Sequence, residues 1–255
     1  MPWWAPPALA LQFLTRIPVP ATARLDAGVV RQALTKAAGW FPLVGALVGV
    51  VTATVIMVAE GFWPRLVAVL IGMIVEARLT GAFHEDAVAD FCDAFGGGQD
   101  AEGVRRIMMD SRIGSYGELG LMLAVGLRAA LLLSLPLTIA WAATVASATF
   151  GRLLAVAMMA IVAPAPAGIG LAKDVGGGIG AGQLLLGIAT ALPGLALFAW
   201  TMPAALAGAV VGALPFLWWF RRLLIQRIGG STGDCLGFAA YAGQIGLLLA
   251  ATASA

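Results

Sequence analysis

Seven long apolar runs divide the chain, and each is close to the length that an α-helix needs to cross a bilayer. A helix rises 1.5 Å per residue, so about 20 apolar residues span the hydrocarbon core. The runs cover residues 39–59, 62–83, 118–138, 140–163, 184–201, 203–220 and 235–254. Prolines near or inside several runs soften their boundaries, and six to eight spans fit the pattern. We therefore predict an all-α, polytopic membrane helical bundle of about seven transmembrane helices.

Residues 1–37 do not follow this spanning pattern. An apolar stretch from Trp3 to Leu14 is followed by Arg16, two prolines and a polar segment. This mixture is typical of an interfacial or re-entrant segment. Because the apolar runs are spread along the whole chain, we predict a single integral membrane domain over residues 1–255, with the lipid bilayer as its surroundings.

The composition indicates a membrane protein and excludes several kinds of metal and disulfide site. Hydrophobic residues make up 61% of the chain and charged residues only 11%, whereas about 25% are charged in soluble proteins. Two cysteines and one histidine are too few for a zinc cluster, a haem ligand pair or a disulfide framework. Cys92 is interpreted as a small packing residue. We expect no nucleic-acid partner, and a homo-oligomer is compatible with the sequence.

Basic residues indicate the orientation of the bundle. With seven spans, one side receives the N-terminal segment, the 84–117 segment and the loops 164–183 and 221–234, which carry most of the arginines and lysines. The other side keeps only Arg65. Cytoplasmic loops are rich in Lys and Arg, so we predict a multi-pass protein of the cell inner membrane whose active site faces the cytoplasm.

The segment 84–117 concentrates the charge of the chain and is predicted to be an acidic catalytic loop. Ten of the 28 charged residues lie between Glu85 and Arg112. Asp86, Asp90 and Asp93 are spaced i, i+4 and i+7, which places them on one face of a helix. Three carboxylates repel one another unless a cation compensates them, and Mg²⁺ prefers oxygen ligands. We predict that these three residues bind Mg²⁺; the alternative is a solvated helix face.

His84 lies beside this acidic face. As the only histidine, it is a candidate general base or metal ligand, and the alternative is a hydrogen-bonded interfacial residue. We group it with Asp86, Asp90 and Asp93 as the candidate catalytic residues.

Glycines and arginines after the acids suggest a phosphate site. Gly96, Gly97 and Gly98 should end the helix and leave N–H groups for an anion, or simply form a turn. The guanidinium fork matches phosphate oxygens, and Arg112 in the stretch DSRIGSYG is the stronger candidate. Arg105 and Arg106 serve either phosphate binding or topology. The candidate phosphate-binding residues of this segment are Gly96, Gly97, Asp110, Ser111 and Arg112.

Two further polar loops carry candidate substrate-binding residues. Residues 229–237 read GGSTGDCLG before the last span, and glycines ahead of a helix N-terminus favour anion binding. Thr232 and Asp234 are the candidates there, with Asp234 either an N-cap or a further metal ligand. Lys173, followed by Asp174 and three glycines, forms a weaker candidate. Inside the spans, Arg128 and Arg152 are charged, and either could pair with Glu76.

The order of these motifs resembles one known family over almost the whole chain. The residues LTGAFHEDAVADFCDAFGGG and RRIMMDSRIGSYG are similar to the signature of the cobalamin synthase family, also called adenosylcobinamide-GDP ribazoletransferases. FLTRIPVP near the N-terminus, FPLVGALVG, Gly151-Arg152 and GGSTGDCLG fit the same family. Ala87 stands where the family usually has Gly.

The resemblance implies a Mg²⁺-dependent membrane phosphotransferase that acts late in cobalamin biosynthesis. Its expected partners are adenosylcobinamide-GDP and α-ribazole or α-ribazole 5′-phosphate, with GMP as leaving group. Two alternatives stay open. A CDP-alcohol-type membrane phosphotransferase also uses spaced aspartates, but its motif is absent here. A metabolite or cation transporter would favour acids spread across the spans, whereas here they cluster.

Overall fold

The protein folds into a bundle of α-helices in a computed structural model that describes residues 1–166 and 179–254. Apolar runs form the long helices, and glycine, proline and polar residues separate them. Within the described residues the helices are α1 (Ala5–Leu14), α2 (Ala27–Ala37), α3 (Phe41–Ala59), α4 (Arg65–Thr80), α5 (Phe83–Gly97), α6 (Ala101–Met108), α7 (Ser115–Ser134), α8 (Leu137–Ile161), α9 (Ala181–Thr201), α10 (Pro203–Ile228) and α11 (Gly233–Ala253).

The predicted all-α membrane bundle is confirmed. Each of the seven predicted spans corresponds to one helix, with α10 eight residues longer than its predicted span. Six helical segments of the described chain are long and apolar enough to cross a membrane. The first of them runs from Ala27 to Ala59 and includes a 3₁₀ turn, Ala38–Trp40, between α2 and α3. A seventh crossing is obtained when α4 and α5 count as one bent span.

The α4–α5 pair is bent by 87°, and the bend lies at Gly81 and Ala82. Gly81 has φ +74° and Ala82 has φ +58°, so both adopt the left-handed conformation. Glycine adopts this conformation freely, whereas a residue with a side chain pays about 1–2 kcal/mol. Two hydrogen bonds hold the bend: Ala82 N donates to Ala77 O (2.8 Å), and Arg16 N donates to Leu79 O (2.7 Å). The sequence did not predict this break.

Helix α8 is the centre of the bundle, because small residues let its neighbours approach closely. The backbone of α8 fills the space that a side chain would need at Gly45, where a Cβ would lie 2.5 Å from Ala148 O. On the opposite side, Gly243 of α11 packs against Gly151. Close packing of small residues stabilises membrane helix pairs without a hydrophobic driving force. One turn further along α3, a Cβ at Gly49 would likewise lie 2.7 Å from Val145 Cα of α8.

The N-terminal segment packs against one end of this bundle. Helix α1 has 10 residues, about half the length of a membrane crossing, and it contacts α2 and α3. A 3₁₀ turn over Pro20–Arg24 connects α1 to α2. Phe13 of α1 stacks on Phe41 and meets Phe83 edge-on, which places α1 beside the start of α5.

Candidate functional site

The predicted acidic face is part of helix α5, so the segment 84–117 is mostly helical rather than an open loop. Along this helix Asp86 is exposed, Asp90 is half-buried and Asp93 is buried. Helix α5 packs against α7 and α11, and Ala87 touches Gly237, which has no side chain to obstruct it. The acids therefore run from solvent into the bundle along one helix.

Asp234 joins this acidic face from another helix. It lies in the first turn of α11, where a negative charge is favourable next to the helix N-terminus. The carboxylates of Asp86, Asp93 and Asp234 all lie close enough to act electrostatically on Asp90. Within residues 1–166 and 179–254, Asp86, Asp90 and Asp234 form no ion pair. Residues about 150 positions apart thus form one uncompensated negative cluster.

Asp93 has a structural role that the spacing of the aspartates along the sequence did not predict. Its carboxylate accepts hydrogen bonds from Gly114 N (2.6 Å) and Gly117 N (2.8 Å), the backbone groups at the start of α7. A Cβ on Gly117 would collide with the same carboxylate, so the glycine is needed for the contact. Asp93 therefore ties the end of α5 to the beginning of α7.

We expect Asp93→Asn to lower the stability of the folded protein. An amide has one acceptor oxygen, so one of the two N–H groups loses its charge-assisted partner, at about 1.5–3 kcal/mol. The measurement is the midpoint of heat-induced aggregation in detergent. Asp90→Asn is the matched control and should leave the midpoint near that of the wild type. Equal midpoints for the two variants would contradict this role of Asp93.

The acids fit Mg²⁺ as a partly protein-bound ion. In the described part of the chain, no three His, Cys, Asp or Glu side chains are close enough to surround one metal. Mg²⁺ commonly uses only one or two carboxylates and takes its other ligands from water and substrate phosphates. Asp86 and Asp90, one turn apart on the accessible part of α5, have this character. The Mg²⁺ role of Asp86, Asp90 and Asp93 stays a prediction.

His84 is buried under the acidic face rather than exposed beside it. Its Nδ1 lies 3.5 Å from Nη2 of Arg152, which is also buried and belongs to α8. An arginine carries no acceptor, so this contact requires Nδ1 to accept. His84 lines a small apolar cavity of about 40 Å³ with Phe13, Phe41 and Phe83 among its walls. Both predicted roles, general base and metal ligand, stay predictions.

A buried ion pair lies deeper in the bundle. Arg128 of α7 pairs with Glu76 of α4 at 2.5 Å, and Thr52 donates a hydrogen bond to the same carboxylate oxygen (2.9 Å). Arg128 also lies 3.8 Å from Glu85 of α5. The prediction that Glu76 pairs with an intramembrane arginine is confirmed for Arg128. One guanidinium thereby connects the two sides of the α4–α5 bend.

The glycines after the acids end helix α5, as predicted. The helix runs to Gly97, and Gly98 N donates to Ala94 O (3.0 Å), so this N–H is already used. Gly96 instead gives room to Tyr116: a Cβ there would lie 2.7 Å from the ring. The proposed phosphate contact of Gly96 and Gly97 stays a prediction, and their visible role is close packing.

Thr232, and not Asp234, caps helix α11. The Thr232 hydroxyl accepts a hydrogen bond from Cys235 N (3.4 Å), as expected of a threonine N-cap. The interpretation of Asp234 as the N-cap is therefore wrong, and its carboxylate is free of this task. Thr232 keeps its place at the helix start beside the acidic cluster.

Three polar segments meet at the end of the bundle that carries the acids. Arg227 of α10 donates to Gly98 O, and Arg105 of α6 donates to Ile228 O (3.4 Å). Ser231 N donates to Ala163 O (2.9 Å). The prediction that the polar motifs share one face is confirmed for these segments. Lys173 lies outside the described residues.

Arg112 and its neighbours form an exposed turn between α6 and α7. The Arg112 guanidinium donates two hydrogen bonds to the Asp110 carboxylate, from Nη2 to Oδ2 (2.7 Å) and from Nε to Oδ1 (3.0 Å). These hydrogen bonds lower the pKa of Asp110 to about 2, so it is ionised at any physiological pH. Ser111 is exposed at the tip of the turn. In this state the fork of Arg112 is occupied by Asp110.

The sequence did not identify the buried partners of Arg128. Glu85 was not singled out, yet it faces Arg128 across the bend. Tyr241 of α11 lies under the Arg128 guanidinium at 5.7 Å from the ring centre. The only signal was a charged or polar residue inside an apolar helix, which indicates a buried partner without naming it.

These observations define a polytopic α-helical membrane protein with a cluster of carboxylates, arginines and glycines at one end. The sequence model of the family "Cobalamin-5-phosphate synthase" matches residues 7–252. The chain belongs to this family of transferases of late cobalamin biosynthesis.

Curated relatives are similar over most of the chain. A protein of Leptothrix cholodnii named "Adenosylcobinamide-GDP ribazoletransferase" is 40% identical over 242 residues, which cover 91% of this chain and 88% of the relative. Proteins with the same name from Shewanella baltica (36% identical; 93% and 89% covered) and Ralstonia nicotianae (39% identical; 91% and 88% covered) are also similar. No solved structure matches significantly.

Proposed function

We propose that the protein transfers the phosphoryl-linked corrinoid of adenosylcobinamide-GDP to α-ribazole or α-ribazole 5′-phosphate. The 3′-hydroxyl of the ribazole attacks the phosphorus that carries the cobinamide. The new P–O bond forms, the bond to GMP breaks, and the hydroxyl proton is lost. The products are adenosylcobalamin, or its 5′-phosphate, and GMP.

The observation that carries this proposal is the meeting of Asp86, Asp90 and Asp234 at the end of the bundle where the loops converge. An anionic diphosphate cannot approach three carboxylates without cations. The arginine-bearing turn at Arg112 and the α11 N-terminus with Thr232 lie at this same end and provide positive charge and N–H groups. A site with acids for a metal and cationic groups for a diphosphate is suited to phosphoryl transfer.

Mg²⁺ is the cation that fits these residues. Asp86 and Asp90 would hold it, with Asp234 acting on the same region and Asp93 tying α5 in place. The ion would neutralise charge on the transferring phosphate and on the departing GMP. The protein itself contributes the position of helix α5 and the positively charged groups at Arg112 and at the α11 N-terminus. Because the helix holds the α5 carboxylates in place, they need no reorganisation during the reaction and favour the transition state.

Incubation of the detergent-purified protein with adenosylcobinamide-GDP and α-ribazole tests this function. GMP and the completed cobamide should appear in equal amounts, as measured by chromatography, and a chelator should stop both. Omission of α-ribazole should abolish GMP release. Release of GMP without a ribazole acceptor would indicate a hydrolase, and the absence of any GMP with both substrates present would favour a transporter.

We expect the turn at Ser111, the Ser231 loop and the 164–183 loop to face the cytoplasm of the cell, in the inner membrane, because the basic residues collect there. Single cysteines at Ser111, at the exposed Gln226 of the 221–234 loop and in the 164–183 loop, in a variant with Cys92 and Cys235 replaced, should react with a membrane-impermeant reagent only after the inner face is exposed. A cysteine at Phe62, at the opposite end, is the control and should react from outside. Labelling of Ser111 from outside would reverse the orientation.

A further inference from the structure

A cleft of about 430 Å³ lies beside the acidic cluster, between the end of α5, the end of α6 and the turn that leads into α7. It is separate from the small cavity at His84 and is open to solvent. The residues that give it chemical character are Asp93, Ile107, Asp110, Arg112, Ile113 and Tyr116.

One wall of the cleft is suited to a flat ring. The Tyr116 side chain is 56% exposed although its ring is fixed against Gly96. Ile107 and Ile113 add apolar surface. An aromatic ring that is held in place but left open offers a stacking surface for a planar heterocycle.

The mouth of the cleft carries one charge of each sign. Arg112 is 86% exposed and is paired only with Asp110 in the described structure. A solvent-exposed pair contributes little, so both partners can exchange it for a ligand. A guanidinium fork binds phosphate oxygens. A carboxylate can accept two hydrogen bonds from the adjacent N1–H and N2–H of guanine, whereas adenine presents an unprotonated N1 that a carboxylate repels.

The position of the cleft relates it to the acidic face. Asp93 borders it, and Asp86 lies seven residues earlier on the same helix, about 10 Å away along the axis. This distance is comparable with the extent of a nucleoside diphosphate. A base stacked on Tyr116 would thus leave its phosphates directed towards Asp90 and Asp86. The volume suits a mononucleotide and is far too small for a corrinoid ring.

We propose that this cleft binds the guanine nucleotide half of the activated substrate and holds it as GMP after transfer. The proposal rests on the proposed function and names the part of the site that takes the nucleotide. Tyr116 stacks on the base, Asp110 accepts from its Watson–Crick edge, and Arg112 contacts a phosphate.

Direct binding of GMP to the purified protein, measured by equilibrium dialysis, tests the cleft without any turnover. Tyr116→Ala should weaken GMP binding about 5- to 100-fold, and Tyr116→Trp should restore it, because stacking needs only an aromatic face. Leu119→Ala is the matched control: Leu119 is equally exposed, at 56%, one turn further along α7 and outside the cleft. Unchanged affinity in Tyr116→Ala would overturn the proposal.

Two further variants test the polar contacts. Asp110→Asn should reduce the preference for GMP over AMP, because the amide no longer repels the adenine N1. Arg112→Lys keeps the charge but loses the fork, and it should weaken GMP binding about ten- to hundredfold, whereas the exposed neighbour Arg106→Lys should not. An equal preference of the wild type for GMP and AMP would contradict the role of Asp110.

The two proposals can fail separately. GMP binding that depends on Tyr116, in a protein that forms no cobamide, would keep the cleft and reject the transferase. Normal cobamide formation with GMP binding that is indifferent to Tyr116, Asp110 and Arg112 would keep the transferase and reject the cleft.

Discussion

Asp90→Asn should reduce the rate of GMP release by about 100-fold or more while leaving membrane insertion and yield near those of the wild type. Asp86, Asp93 and Asp234 all act electrostatically on Asp90, and asparagine keeps the volume of Asp90 but removes its charge. Loss of an outer partner of a metal ligand already costs about 10- to 100-fold, so loss of a ligand should cost at least the upper value. Initial rates with both substrates at saturating Mg²⁺ give the comparison.

The fold should not suffer in this variant, because the exchange removes repulsion between neighbouring carboxylates. A Glu102→Gln variant, which alters an exposed acid on α6, serves as the activity control. Near-normal turnover of Asp90→Asn with an unchanged dependence on Mg²⁺ would contradict the metal role and favour the alternative that the acidic face is a solvated helix surface.

Arg128→Met should sharply reduce the amount of folded protein. It leaves Glu76 buried without its partner and removes the contact with Glu85 across the α4–α5 bend. Breaking a buried ion pair by removing one partner costs about 3–5 kcal/mol. Yield after detergent extraction and the aggregation midpoint measure the loss. The double variant with Glu76→Gln should recover part of it, since no unpaired buried charge then remains on α4.

Arg78→Met is the matched control for this experiment. Arg78 lies on α4 close to Glu76 but is exposed, so its replacement should change the midpoint little. An Arg128→Met protein as stable as the Arg78→Met protein would show that the pair does not hold the bend.

The sequence predicted the long helices well because the bilayer imposes their length and polarity. The apolar runs of the sequence predicted helices α3, α4 and α7 to α11. The i, i+4, i+7 spacing of the aspartates predicted that α5 is a helix. The 87° bend was not predictable. Gly81 alone is compatible with a turn, a packing contact or a continuous helix, and Ala82 gives no sign that it adopts a left-handed conformation.

The sequence predicted which types of residue form the site, but it predicted less well which role each residue has. The spacing grouped Asp93 with Asp86 and Asp90, because helical periodicity contains no information about Gly114 and Gly117, which occupy its carboxylate. For Asp234 the sequence left two roles open, helix N-cap or further metal ligand. Thr232 caps α11, which excludes the first role, and the metal role of Asp234 stays a prediction. The contacts of Arg128 depend on how four helices pack, which no local pattern encodes.

The most direct test of the central claim is the Mg²⁺ dependence of GMP release in Asp234→Asn, compared with Glu118→Gln. The claim is that α5 and the start of α11 contribute acids to one Mg²⁺-dependent transfer site. Asp234→Asn should raise the Mg²⁺ concentration for half-maximal GMP release, as Asp90→Asn should. Glu118→Gln, an exposed acid in the first turn of α7, should not change it. A Mg²⁺ curve of Asp234→Asn that coincides with the wild type, with only Asp90→Asn displaced, would contradict a shared site.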